Sequence, residues 1–235
     1  MKRIMLLMLA VCFMLTGCGK TDAGAADTQL PEKTTAEPEA KPEPAVPAAK
    51  QEPSITVKPL PDTTMEELND SILSVSLKEG DAYVDDTGKM QMAVKIYSYD
   101  KYDLAHIAEL KVSDTIVTHA GEVKISTLER GAGGVVIING GLEAGGIELV
   151  TDGGGIFYET GFNDAKNWYE VGEATIRVSV DFLYYDRSDP ERGDVIFYPG
   201  SFLVGEVTDY HFVPHNTTIR VENGQIVEMI RTYVP

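Results

Sequence analysis

Cysteine is nearly missing from these 235 residues: there are two, Cys12 and Cys18, both within the first eighteen positions. From Gly19 onward no thiol exists for a disulfide, for nucleophilic catalysis or for a cysteine-bound metal, so what folds there is held by packing and hydrogen bonds alone. Tryptophan occurs once, at Trp168, and histidine four times, at His106, His119, His211 and His215. Positive charge is also scarce. Twenty Lys and Arg face 37 Asp and Glu, for a formal net charge of −17. A surface of that sign repels phosphate backbones, which excludes nucleic acid as a partner. Two catalytic templates are absent as well. There is no G-x-S-x-G elbow, and the glycines between Gly131 and Gly155 supply neither a phosphate loop nor a dinucleotide fingerprint, so they read as turn glycines.

What is present first is a leader. Lys2 and Arg3 precede Ile4 to Leu15, an apolar run broken only by Ala10 and Cys12. A basic start, a short apolar core and a small-residue exit make the pattern of a secretory signal. As a helix the run rises about 18 Å, short of the roughly 30 Å hydrocarbon slab, so it does not serve as a stable span. Its exit, Leu15-Thr16-Gly17-Cys18, resembles the lipobox of bacterial lipoproteins. The resemblance implies cleavage between Gly17 and Cys18, and a Cys18 sulfur carrying diacylglycerol with fatty acids such as palmitate. It further implies attachment to the bacterial cell membrane or envelope with the rest of the chain on the extracytoplasmic side. It covers about the first twenty residues and speaks only to them.

Residues 18–61 read as a stalk. Eight of the twelve prolines lie here, from Pro31 to Pro61, mixed with Ala, Glu, Lys and Thr and without one aromatic residue. Such a segment buries too little to offset its ordering entropy and is expected to be disordered. Residues 62–235 are expected to form one globular domain.

That domain reads as mainly β: a β-barrel or β-sandwich-like domain of short antiparallel strands with one or two short helices. Thr64-Met65-Glu66-Glu67 matches a capping box, and Met65, Leu68, Ile72 and Val75 recur at helical spacing, so a helix is expected from about Met65 to Ser74. A second short helix is expected over Asp103 to Leu110, with Leu104, Ile107 and Ala108 inward. Met92, Val94 and Ile96 alternate with Gln91, Lys95 and Tyr97, which predicts a strand joined by the Asp85-Asp86-Thr87-Gly88 turn to another over Ala82 to Val84. Hairpins are predicted around His119 to Glu122 and at Asn223-Gly224. Paired glycines introduce three short strands at Val135, Ile147 and Ile156, and strands over Ala174 to Val180, Phe182 to Tyr185 and Val195 to Tyr198 bring the expected number to nine or ten.

Candidate sites are few. The loop Asp186 to Asp194 offers Asp186, Asp189, Glu191 and Asp194 as oxygen ligands for Ca²⁺, diluted by Arg187 and Arg192. His211 and His215 stand four apart, a zinc spacing on a helix, whereas in a strand they lie roughly 13 Å apart. Trp168-Tyr169 and Tyr184-Tyr185 are candidates for a carbohydrate or peptide platform, with core packing as the plainer role. These features lead to an envelope lipoprotein with a non-enzymatic domain binding an unknown extracellular ligand or protein partner. No cofactor beyond Ca²⁺ is expected. The alternatives are an envelope hydrolase, using a carboxylate pair or a metal near His211 and His215, and an accessory subunit of a surface complex.

Overall fold

The computed structural model describes residues 53–62, 65, 68–162 and 166–234. The leader, Cys18 and nearly all of the proline-rich stretch lie outside the described residues, as do Thr64, Glu66 and Glu67 of the expected capping box. Alternation of apolar and polar side chains, which a strand turns into two faces, accounts for most of the elements. The first strands are β1 (Thr56–Val57), β2 (Ser71–Ser76), β3 (Ala82–Val84), β4 (Met90–Ser98) and β5 (Lys101–Asp103), followed by helix α1 (Leu104–Glu109). Then come β6 (Thr115–Thr118), β7 (Gly121–Lys124), β8 (Leu128–Arg130), β9 (Val136–Ile138), β10 (Ile147–Thr151) and β11 (Ile156–Glu159). The chain continues through β12 (Tyr169–Arg187), β13 (Val195–Phe197), helix α2 (Pro199–Leu203), β14 (Thr217–Glu222) and β15 (Gln225–Thr232). Among the described residues the protein is mainly β with two short α-helices, as its residue pattern predicts. Among the described residues no helix is long and apolar enough to cross a membrane.

Five strands close a barrel. β4 pairs with β2 along one edge and with the first half of β12 along the other. The second half of β12 pairs with β15, β15 with β14, and β14 with β2, which completes the ring. The inward positions fill it, as closure of so few strands requires. Met92, Val94 and Ile96 of β4 meet Leu73, Val75, Ile176, Val178, Phe182, Tyr184, Ile219, Val221, Ile226 and Met229, with Phe202 of α2 and Phe212 beside them. Three of the rings crowd Tyr184: Phe197 at 5.3 Å, and Phe202 and Phe212 at 5.6 Å each between centroids. Burial makes the Tyr184 hydroxyl hard to ionise. Asn223 and Gly224 turn β14 into β15 with φ of 51° and 69°, the positive pair that such a two-residue hairpin demands.

The chain leaves the barrel after Ser98 and re-enters at Tyr169, and these two residues face each other in the β4–β12 register. Between them a second lobe is built around its own core of Tyr102, Ile107, Leu110, Ile116, Ile125, Val136, Ile138, Ile147, Leu149 and Phe157, with Val57 added from β1. An antiparallel sheet in the order β5-β11-β10-β9-β8 forms one wall, and the β6–β7 hairpin with β1 forms the other. Polar side chains splice the connections. Buried Asp114 accepts from the backbone N–H groups of Ile55 and Lys111, each at 2.9 Å, which pins β1 to its neighbour. Arg130 donates to the carbonyls of Ile107, Ala108 and Leu110 and so caps the end of α1.

Four expectations need correction. Ser71–Ser76, which overlaps the expected helix, is strand β2: Leu73 and Val75 are buried while Ile72 is 69% exposed, a period of two that pairing with β14 and β4 selects over helical spacing. The strands are not all short or all antiparallel, since β12 runs 19 residues, and both β12–β15 and β1–β6 are parallel. Ala174 to Val180 and Phe182 to Tyr185 are one strand, bent where the register slips between Val178 and Leu183 and where Val180 turns out to solvent. In α1 only Ile107 is buried, while Leu104 and Ala108 face outward.

Close backbone approach explains one glycine. A Cβ on Gly146 meets the Ile138 carbonyl oxygen at 2.1 Å, whereas one on Gly153 meets nothing within 4 Å and only its φ of 79° opposes it. Gly146→Ala is therefore expected to cost about 3 kcal/mol by overpacking and Gly153→Ala about 1 kcal/mol by backbone strain, read from urea midpoints. Equal losses at the two positions contradict this packing.

Candidate functional site

Where the chain crosses between lobes, three ligand-type side chains converge. Asp100 lies in the link from β4 to β5, His119 in the turn from β6 to β7, and Glu159 ends β11. One donor atom of each falls within 4.8 Å of the others. Asp100 and Glu159 are buried, at 3% and 7% exposure, while the His119 side chain reaches solvent at 27%.

Local backbone explains the placement. Phe157 and Glu159 are two apart in a strand and so share a face; Phe157 fills the lobe core and Glu159 stands where another apolar residue belongs. Asp100 receives the His119 backbone N–H at 2.7 Å and lies 3.0 Å from the imidazole Nδ1. The imidazole stacks on Tyr169, the first residue of β12, with centroids 4.3 Å apart and planes 17° from parallel. Asn167 donates its amide to one Glu159 oxygen at 2.8 Å. The other, Oε2, is buried with no hydrogen-bond partner among the described residues. Burial first, and the Asp100 charge after it, push the Glu159 carboxyl up, against the opposing pull of Asn167 and His119. Burial likewise raises the Tyr169 hydroxyl.

On the other side of the same backbone, the residues preceding Asp100, Glu159 and Tyr169 form an aromatic box. Tyr99 meets Trp168 edge-on at 4.8 Å and Tyr158 at 6.1 Å. The Lys166 ammonium sits 4.1 Å from the Tyr99 ring and 5.7 Å from the Trp168 ring, and it donates to the Tyr99 hydroxyl at 3.0 Å. The expected aromatic platform is thus divided. Trp168 braces this box, Tyr169 braces His119, Tyr184 is core, and Tyr185 lies under Arg187 at 5.4 Å.

The other candidate ligands are not gathered. Among the described residues, the group of three or more ligand side chains close enough to share an ion is Asp100, His119 and Glu159, and it includes none of Asp186, Asp189, Glu191, Asp194, His211 or His215. Asp186 is gripped by Arg231 at 2.6 and 3.1 Å, Asp194 pairs with Arg187 at 3.0 Å, and Asp189 accepts the Glu191 backbone N–H. Both His211 and His215 are exposed. Ser201 is buried and donates to Glu206 at 2.6 Å.

Sequence reasoning named His119 without a role and passed over Asp100 and Glu159. A signal existed in Ile156-Phe157-Tyr158-Glu159, where alternation puts a carboxylate on the apolar face. No known protein-family model matches the chain, and neither does any curated protein or solved structure.

Two predictions rest on these carboxylates. Arg231 is 3% exposed and neutralises both Asp186 and Asp209. Burial works to raise Asp186, but the hydrogen bonds from Arg231 and Ser188 outweigh it and hold the carboxyl below the ordinary aspartate value. Arg231→Ala is expected to cost about 4 kcal/mol in urea unfolding at neutral pH, because Asp186 stays behind without its cation. A loss under about 1 kcal/mol counts against a structural role for the pair.

Glu159 has the opposite sign. Its folded state holds the proton more tightly than the unfolded chain, so its contribution is greatest below the ordinary glutamate value and is lost as pH rises through the folded one. Glu159→Gln keeps the acceptor for Asn167 and removes the charge. In chelator, the variant is expected to gain stability relative to the parent as pH rises from the ordinary glutamate value through the higher folded one. Parallel stability curves show instead that the carboxylate is not held in the apolar setting described.

Proposed function

We propose that this chain is a lipoprotein held on the extracytoplasmic side of a bacterial membrane by acylated Cys18, and that its two β lobes work there by binding. The observation that carries the tether is Leu15-Thr16-Gly17-Cys18 at the end of a basic-then-apolar leader. Two or three acyl chains, at about 0.8 kcal/mol per buried methylene, hold a protein durably where one chain does not. The proline-rich stretch after Cys18 gives the lobes reach away from the bilayer.

Binding is favoured over hydrolysis by the acid geometry. The Asp100 and Glu159 donor atoms lie within 4.8 Å of each other and both residues are buried, which leaves no room to straddle a sugar bond. His211 and His215, the other suggested metal ligands, stand exposed, and among the described residues neither belongs to a group of three or more ligand side chains close enough to share an ion.

Mass spectrometry of the protein extracted from its native membrane tests the tether. The expected N-terminus is Cys18 bearing acyl chains, and Cys18→Ser is expected to accumulate with its leader uncut. An N-terminus elsewhere, or an unmodified thiol at Cys18, refutes the tether.

A further inference from the structure

We propose that Asp100, His119 and Glu159 hold a divalent transition-metal ion, with zinc best matched by this set of donors. The proposal gives a ligand to the binding role above and rests on it, while standing apart from the tether.

Geometry comes first. Donor atoms on one zinc ion, each roughly 2 Å from it, stand about 3 to 4 Å apart. His119 Nδ1 and Asp100 Oδ2 share a hydrogen bond at 3.0 Å, whose proton a metal would displace, and the whole set lies within 4.8 Å. Charge points the same way. Two buried carboxylates face one imidazole, and among the described residues neither acid pairs with a lysine or arginine. A divalent cation neutralises them together.

Hydrogen bonding supplies the independent sign. Glu159 is 93% buried, since its exposure is 7%, yet its Oε2 has no hydrogen-bond partner among the described residues. An orphaned buried carboxylate oxygen is costly unless a proton or a cation completes it. The surroundings also fix the ligands in place. Tyr169 stacks on the imidazole, the His119 backbone N–H holds Asp100, and Asn167 holds the far oxygen of Glu159. Such outer contacts orient metal ligands and tune their affinity.

The donor types select the ion. Calcium and magnesium prefer six or more oxygens, whereas an imidazole with carboxylates suits zinc. Three protein donors would leave a fourth position for a water or a ligand, and of the three side chains His119 is the one that reaches solvent.

The test uses the full chain in detergent with Cys12→Ser and Cys18→Ser, so that no thiol competes for zinc. Isothermal titration with zinc chloride is expected to give one ion per chain, and zinc is expected to raise the melting temperature. Glu159→Gln and, separately, His119→Gln are expected to weaken zinc binding at least about ten-fold and to abolish the thermal shift. Their unliganded melting curves establish that they are folded. His211→Ala with His215→Ala is expected to change neither readout. Absence of stoichiometric uptake by the parent, or uptake that survives Glu159→Gln and disappears with the His211 and His215 changes, overturns the proposal. The acyl mass at Cys18 is read on the native protein and zinc uptake on the thiol-free variant, so the two readings fail separately.

Discussion

One strand has to satisfy two neighbours that lie in different directions, and the architecture depends on how it does so. The first half of β12 hydrogen-bonds to β4, and its second half to β15, with a register slip between Val178 and Leu183 where the backbone bends. Without this double pairing the sheet stays open, and β4 or β15 keeps a row of unpaired backbone groups. With it, Ile176 and Val178 before the slip and Phe182 and Tyr184 after it all enter the same core. Val180, at 84% exposure, is where the strand departs from strict alternation. Arg231 secures the far end by joining β15 to Asp186 of β12 and to Asp209.

Much of this was legible residue by residue. Met92, Val94 and Ile96 declared one buried face of β4, Asn223-Gly224 declared the last hairpin, and the paired glycines marked the meander from β9 to β11. The failures have physical causes. Leu68, Ile72 and Val75 fit a helix as well as Leu73 and Val75 fit a strand, and only the partners β14 and β4, distant along the chain, decide between them. Parallel pairing leaves no local mark either, because β12 and β15 are joined through β13, α2 and β14 instead of a turn.

The site was less legible than the fold. Asp100 and His119 lie in two connections and Glu159 at the end of β11, and no motif spacing links them. Long-range topology brings them together: β5 lies beside β11, which sets Asp100 near Glu159, and the β6–β7 turn delivers His119 to both. Conversely, the loop from Asp186 to Asp194 is rich in acids on paper, yet Arg187 and Arg231 take up two of its carboxylates. Local density of charge did not mark where ligand-type side chains converge, whereas a lone acid on an apolar face did.

Ser98 and Tyr169 are cross-strand neighbours, although a stretch of chain with its own hydrophobic core separates them in sequence. The doorway into the second lobe is therefore no wider than an ordinary hairpin tip. A barrel whose β4 and β12 met in a tight turn needs only one splice at that tip to acquire the whole lobe without reordering a strand. Inserted in this way, the lobe is not a free-standing bead, because β1, which precedes the barrel in sequence, is threaded into its wall beside β6. Guest and host are stitched together from both ends, so cutting out the guest also sets loose the segment that leads into the host.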